Sequence, residues 1–166
     1  MCRPTSSPNG RPNTASESIN QLDRLLIERA CERLIIEYSR LVDFGEAAAV
    51  ADLFVADGRW EGTDLVLEGR EQIRAWFRER QGVTRRVSRH VCTNIAVEVV
   101  SATEARSLSY LINYRHDRRE GDETLPVPAE VPKYVGELHD TFVLAEEGWR
   151  FASRRVTVGF LRRRSR

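Results

Sequence analysis

The sequence predicts an α+β domain: a cone-shaped α+β barrel in which a strongly curved antiparallel sheet wraps around a long N-terminal helix and two shorter helices. Three observations predict it. Apolar residues recur at helical spacing in the first half of the chain and at period two in the second. A length of 166 residues suits one domain with a core of its own. Helices come first and long strands last, the order of an α+β fold rather than of alternating βαβ units. A sheet bent round a helix cannot close at its wide end, and the gap left there is a natural ligand site.

Residues 1–18 carry Pro4, Pro8 and Pro12 among Ser, Thr, Asn and Arg, and lack the apolar middle of a secretory signal. They are expected to be a disordered leader, with the domain over 19–160 and a basic tail over 161–166. Ile27, Cys31, Leu34, Tyr38, Leu41 and Val42 fall on one stripe, so a helix is expected over about 20–43, closed by Gly45 in a left-handed cap. Ala47, Ala48, Val50, Ala51 and Leu53 predict a second helix from Glu46 to Phe54. Asp57-Gly58 reads as a turn, followed by short strands Arg59–Glu61 and Leu65–Leu67. Ile73, Trp76 and Phe77 predict a third helix from Arg70 to Arg80.

From Val87 to Val100 the residues alternate, with Val91, Thr93, Ile95, Val97 and Val99 on one face and Ser88, His90, Cys92, Asn94 and Ala96 on the other. Further strands are expected over Ala105–His116, where Leu108, Tyr110, Ile112 and Tyr114 share a face, over Tyr134–Ala145, and over Trp149–Val158. Asp117 to Pro132 is a polar loop, and Glu146-Glu147-Gly148 a turn.

Composition excludes several function classes. The 26 Lys+Arg and 25 Asp+Glu nearly cancel, which argues against a nucleic-acid binder. No stretch approaches the length of an apolar membrane span. Cys2, Cys31 and Cys92 form no CxxC pair and fit free thiols in a reducing compartment, so a cytoplasmic protein is expected. His116 and His139 have no metal-ligand spacing with His90 or the cysteines, and no metal site is expected. A phosphate-cradling glycine loop and a GxSxG elbow are both missing.

Three polar residues sit where the pattern predicts core. Tyr38 lies on the apolar stripe of the long helix, as a buried tyrosine also would. Asp43 lies near that helix's C-terminus, where the dipole disfavours a carboxylate by about 0.3–1 kcal/mol. Five helical residues are about 500° of rotation, so Asp43 points about 140° away from Tyr38. Both face the cone only if the helix is enclosed on two sides or its last turn loosens before Gly45. His90 stands on the less apolar strand face, which lines either a wet cavity or solvent.

The segments "IIEYSRLVDFGEAAAVADLFVADGRWEG", "GREQIRAWF", "RHVCTNIAVEV", "SYLINYRHD" and "GELHDTFVLAEEGWRFASRRV", in this order, resemble the SnoaL-like group of the nuclear transport factor 2-like superfamily from about Leu22 to Val158. The resemblance implies a curved sheet around helices with a deep apolar pocket. Some members are enzymes that need no cofactor: polyketide cyclases, scytalone dehydratase, bile-acid 7α-dehydratase and hexachlorocyclohexane dehydrochlorinase. Others are non-catalytic, including small subunits of ring-hydroxylating dioxygenases.

By position, Asp43 is similar to the carboxylate that pairs with the catalytic histidine in the dehydratases and dehydrochlorinase, and His90 to that histidine. Tyr38 matches the tyrosine of the bile-acid dehydratase pattern, and Arg154 an arginine of that enzyme and of the dehydrochlorinase. Two features depart from the pattern: Leu138 replaces the usual ring in "GxYxDxF", and the loop over 117–132 is longer.

These four positions imply a catalytic set. His90 removes a carbon-bound proton, and Asp43 fixes its tautomer and stabilises the imidazolium. Tyr38 donates a hydrogen bond to a carbonyl or departing hydroxyl, and Arg154 faces the developing negative charge. Strand face and family position add Trp60, Tyr110, Leu138 and Asp140 as substrate-binding candidates. The expected enzyme is a cofactor-independent lyase, isomerase or cyclase acting on a hydrophobic steroid- or polyketide-like ring. The expected assembly is a homo-oligomer, dimer or trimer, with no nucleic-acid or membrane partner. A non-catalytic small-molecule-binding module and a structural oxygenase subunit remain alternatives on the same fold.

Overall fold

The computed structural model describes residues 19–163. The expected leader and the last three residues of the basic tail lie outside the described residues.

Helix α1 spans Gln21–Asp43, and the Asn20 side chain caps it by accepting from the Asp23 N–H at 2.9 Å. Its stripe of Ile27, Cys31, Ile35, Tyr38, Leu41 and Val42 is buried. The helix stays regular through Asp43 and then stops abruptly. Gly45 turns left-handed at φ +85°, and the Glu46 N–H returns to the Leu41 carbonyl at 2.9 Å. The expected second α-helix is instead a 3₁₀ helix, Ala47–Leu53, burying Ala47, Val50 and Ala51. Helix α2, Arg70–Gln81, buries Ile73 and Phe77.

The strands are β1 (Phe54–Glu61), β2 (Val66–Glu68), β3 (Arg86–Val99), β4 (Glu104–Asp117), β5 (Tyr134–Ala145) and β6 (Gly148–Leu161), in the order β2-β1-β6-β5-β4-β3. From β3 to β6 they form an antiparallel meander. The sheet is not wholly antiparallel, however, because β1 runs parallel to β6. Between β1 and β6 the chain passes through β2, α2, β3, β4 and β5, so no hairpin dictates their relative direction. Asp57 and Gly58 are not a turn but lie within β1, at a break in its register with β6.

Register shifts redirect the sheet. In β3, Asn94 adopts φ 51° and the register with β4 shifts between Thr93 and Ala96. The extra residue flips the parity of everything after it. Ser88, His90 and Cys92 therefore share the inner face with Ile95, Val97 and Val99, while Val91, Thr93, Ala96 and Glu98 face outward. The unbroken alternation read from the sequence holds only up to Thr93. In β5 the register with β6 shifts at Gly136, and a Cβ there would lie 2.1 Å from the Thr157 carbonyl oxygen.

The core fills the space between α1, α2, the 3₁₀ helix and the inner sheet face. In β4 the inner residues are Ala105, Ser107, Ser109, Leu111 and Asn113, whereas Leu108, Tyr110 and Tyr114 point outward and are 40–46% exposed. No helix of the described residues is long and apolar enough to cross a membrane.

Gly136→Ala drives a methyl group into backbone that cannot swing aside. Denaturant unfolding should show a loss of about 3 kcal/mol or more. A loss below about 1 kcal/mol would mean the β5–β6 bulge is not as tight as described.

Candidate active site

A cavity of about 620 Å³ opens between the inner sheet face and the two α-helices. Trp60, Trp76, Phe77, Leu111, Leu138 and Val156 give it apolar walls. Its polar groups converge from α1 (Tyr38), α2 (Arg80), β3 (Ser88, His90), β4 (Asn113) and β5 (Tyr134). A second hollow of about 610 Å³ is lined by charged residues, among them Arg59, Arg106, His139, Asp140, Arg154 and Arg155.

Asp43 and His90 meet at the cavity's edge. The His90 Nδ1 lies 2.6 Å from Asp43 Oδ1, and the His90 backbone N–H donates to Oδ2 at 2.7 Å. The Ser88 hydroxyl donates to Oδ1 at 2.9 Å. The carboxylate is 5% exposed and the imidazole 13%. A carboxylate accepts but cannot donate, so the Nδ1 carries the proton in the neutral imidazole. That leaves Nε2 with its lone pair, on a ring that lines the cavity.

Tyr38 and Asp43 do point in different directions, and the regular last turn settles how both are used. Tyr38 faces Phe77 of α2 and Phe151 of β6, in edge contacts at 5.7 and 6.4 Å. Asp43 faces β3, as does Ser39, whose hydroxyl lies 3.2 Å from the Cys92 sulfur. The helix is thus enclosed on two sides near its end. Ile36, two turns back on Asp43's side, is 51% exposed, so only the last turns are covered on that side.

Tyr38 is buried and its oxygen accepts from the Trp60 indole N–H at 2.9 Å. Its own proton is given to no acceptor among the described residues. Burial pushes the phenol well above its ordinary pKa, outweighing the pull of the neighbouring Arg154 charge, so it stays a donor at neutral pH.

Arg154 and Asp140 are placed differently from expectation. Their side chains pair beneath the cavity floor, fully buried, through Nε–Oδ1 at 2.8 Å and Nη2–Oδ2 at 2.7 Å. The guanidinium lies 4.2 Å over the Tyr38 ring and 4.4 Å over Phe151. Register explains the pairing, since Asp140 and Arg154 are direct cross-strand partners on β5 and β6. Neither lines the inner cavity; both border the second hollow, and the Arg154 Nη1 is buried with no hydrogen-bond partner among the described residues. Tyr110 is also displaced: it stands on the outer face, 45% exposed. Trp60 and Leu138 do line the cavity.

Sequence reasoning missed Ser88, Asn113, Tyr134 and Arg80. Ser88 shares the strand face of His90, a signal that was present. Asn113 pairs in register with His90 across β3 and β4, which only the hairpin register reveals. Burial raises the Tyr134 phenol to about 12, so it too remains protonated. Among the described residues no group of His, Cys, Asp or Glu is arranged to hold a metal ion.

A family model for the SnoaL-like domain matches residues 23–155. The chain belongs to the SnoaL-like family. No curated protein sequence matches it. Among solved structures, this SnoaL-like protein is similar to one provisionally named scytalone dehydratase from Novosphingobium aromaticivorans (24% identity, TM-score 0.72, covering 85% of this chain and 89% of that one). It is also similar to a hexachlorocyclohexane dehydrochlorinase, LinA type 2 (14%, 0.68, 86% and 92%). A third is ActVI-ORFA from Streptomyces coelicolor (20%, 0.67, 82% and 98%). At these identities the likeness establishes the fold, that of the nuclear transport factor 2-like proteins.

Breaking the buried pair by Arg154→Met strands a carboxylate at zero exposure and should cost about 3–5 kcal/mol in denaturant unfolding. The double variant Asp140→Leu/Arg154→Met should recover most of that loss. If the single variant is as stable as the parent, the pair is not the floor described.

Proposed function

We propose that this SnoaL-like protein is a cofactor-independent enzyme of the lyase, isomerase or cyclase type, using Asp43 and His90 to take a proton from carbon in a hydrophobic ring-bearing substrate. One observation carries the reading: the His90 Nδ1 is held on the Asp43 carboxylate at 2.6 Å while the residue lines the cavity. The Nε2 lone pair accepts the carbon-bound proton, and the imidazolium formed is stabilised by Asp43. The C–H electron pair moves into a new carbon–carbon double bond or enolate. In an elimination the leaving group departs with its bonding pair, and Tyr38, with its proton free, donates a hydrogen bond to it or to an adjacent carbonyl. Hydrogen and leaving group are lost together, so no oxidant is needed.

The names of two structural neighbours, a dehydratase and a dehydrochlorinase, fit this reading, because both reactions eliminate a proton and a leaving group. The apolar walls favour a rigid ring over a sugar or nucleotide. A purely binding module or an oxygenase subunit needs no base at the wall of the cavity. Arg154 acts through Tyr38, backing its ring, rather than on the substrate.

The test is deuterium incorporation and elimination, followed by NMR in D₂O, over a panel of rigid bicyclic ketones and hydroxyketones that includes 2-tetralone. The parent protein should accelerate exchange at an activated carbon. His90→Ala and Asp43→Asn should each lose about 10²–10⁴-fold while still unfolding cooperatively from a folded state. Near-parent rates in His90→Ala would end the dyad reading.

A further inference from the structure

Three guanidiniums line one end of the cavity: Arg80, Arg86 and Arg115. Two of them share one carboxylate, because Arg86 Nε reaches Asp117 Oδ1 at 2.8 Å and Arg115 Nη2 reaches Oδ2 at 2.5 Å. Arg80 has no such partner among the described residues. Its single side-chain bond is Nη2 to the Ser88 hydroxyl at 3.2 Å. Glu79 lines the same rim but is exposed and bonds none of the three. A half-buried cation without a carboxylate is costly, and burial together with repulsion from Arg86 and Arg115 pulls the Arg80 pKa down. Most of the guanidinium's fork of N–H donors remains unused, a geometry suited to a planar carboxylate.

We infer that Arg80 is a substrate anchor and that the ligand of this cavity is an apolar ring bearing a single carboxylate. The inference rests on the cavity being the substrate site proposed above. Against the three guanidiniums stand two carboxylates, Asp117 and, behind the Ser88 hydroxyl, Asp43, and the one positive charge left over matches a monoanion better than a phosphate dianion. Ser88 and His90 are next-but-one neighbours on the same strand face, about 7 Å apart. A carboxylate held on Arg80 therefore sits roughly a ring's width from the carbon presented to the imidazole. The competing role for Arg80, steadying Asp43 through Ser88, uses only one of its donors.

Isothermal titration calorimetry with 2-naphthoate and its uncharged counterpart 2-naphthamide separates these roles. The parent protein should bind the carboxylate at least about tenfold more tightly than the amide. Arg80→Gln should bring the two affinities together while still binding the amide, which also reports a folded cavity. Arg86→Gln, which removes a guanidinium already bonded to Asp117, should keep the preference. Equal affinities in the parent, or a preference that survives Arg80→Gln, would overturn the anchor and leave the apolar chamber intact. A preference lost equally in both variants would assign it to the general positive field and overturn Arg80's role. Binding of neither probe would remove the apolar-ring site and the anchor together.

Discussion

The site depends on one carboxylate placed where a helix does not favour it. At the C-terminal end of α1 the backbone dipole opposes the charge of Asp43 by about 0.3–1 kcal/mol. Against this stand three hydrogen bonds, from the Ser88 hydroxyl, the His90 backbone N–H and the His90 ring. Bonds to a charged group are worth about 1.5–3 kcal/mol each, so the interaction with β3 wins by a clear margin. The same contacts fasten the end of α1 to the start of β3 and set the tautomer of the imidazole. Gly45 makes this arrangement possible by stopping the helix just beyond Asp43, so that the chain turns away and leaves the carboxylate against the strand.

A second charged pair is buried beside Tyr38. The Arg154 guanidinium lies in the corner made by the edge-on Tyr38 and Phe151 rings and is clamped by Asp140. Such a pair gains little over a well-packed apolar substitute, but either half alone is expensive. Its consequence is a fixed Tyr38 ring, with the hydroxyl held by Trp60 and its proton free for a ligand. The cavity therefore has a rigid donor on one side and a rigid acceptor, His90 Nε2, on the other.

Much of this was legible in the sequence. The long helix, its Gly45 stop, the four long strands and the juxtaposition of residues 43 and 90 follow from periodicity and from the family pattern. What was not legible depends on three-dimensional register. Asn94 in a left-handed conformation carries no strong sequence signal, yet it reverses the face of every later residue in β3. In β4 the larger apolar residues, Leu108 and Tyr110, lie outside, while Ser107 and Ser109 lie inside, where Asp140 reaches Ser107. A rule that sends the apolar face inward consequently put Tyr110 in the wrong place. Asp140 and Arg154 each looked suited to a ligand until strand pairing set them against one another. The parallel union of β1 with β6 likewise joins segments almost a hundred residues apart, beyond any local pattern.

The most direct measurement of the central claim is the tautomer of the His90 ring, read from long-range ¹H–¹⁵N correlation spectra and assigned against His90→Ala. The account predicts a neutral ring protonated on Nδ1 with a bare Nε2, and loss of that preference in Asp43→Asn. A ring protonated on Nε2 in the parent protein would contradict it, because the nitrogen left to the cavity would then have no lone pair to accept a proton.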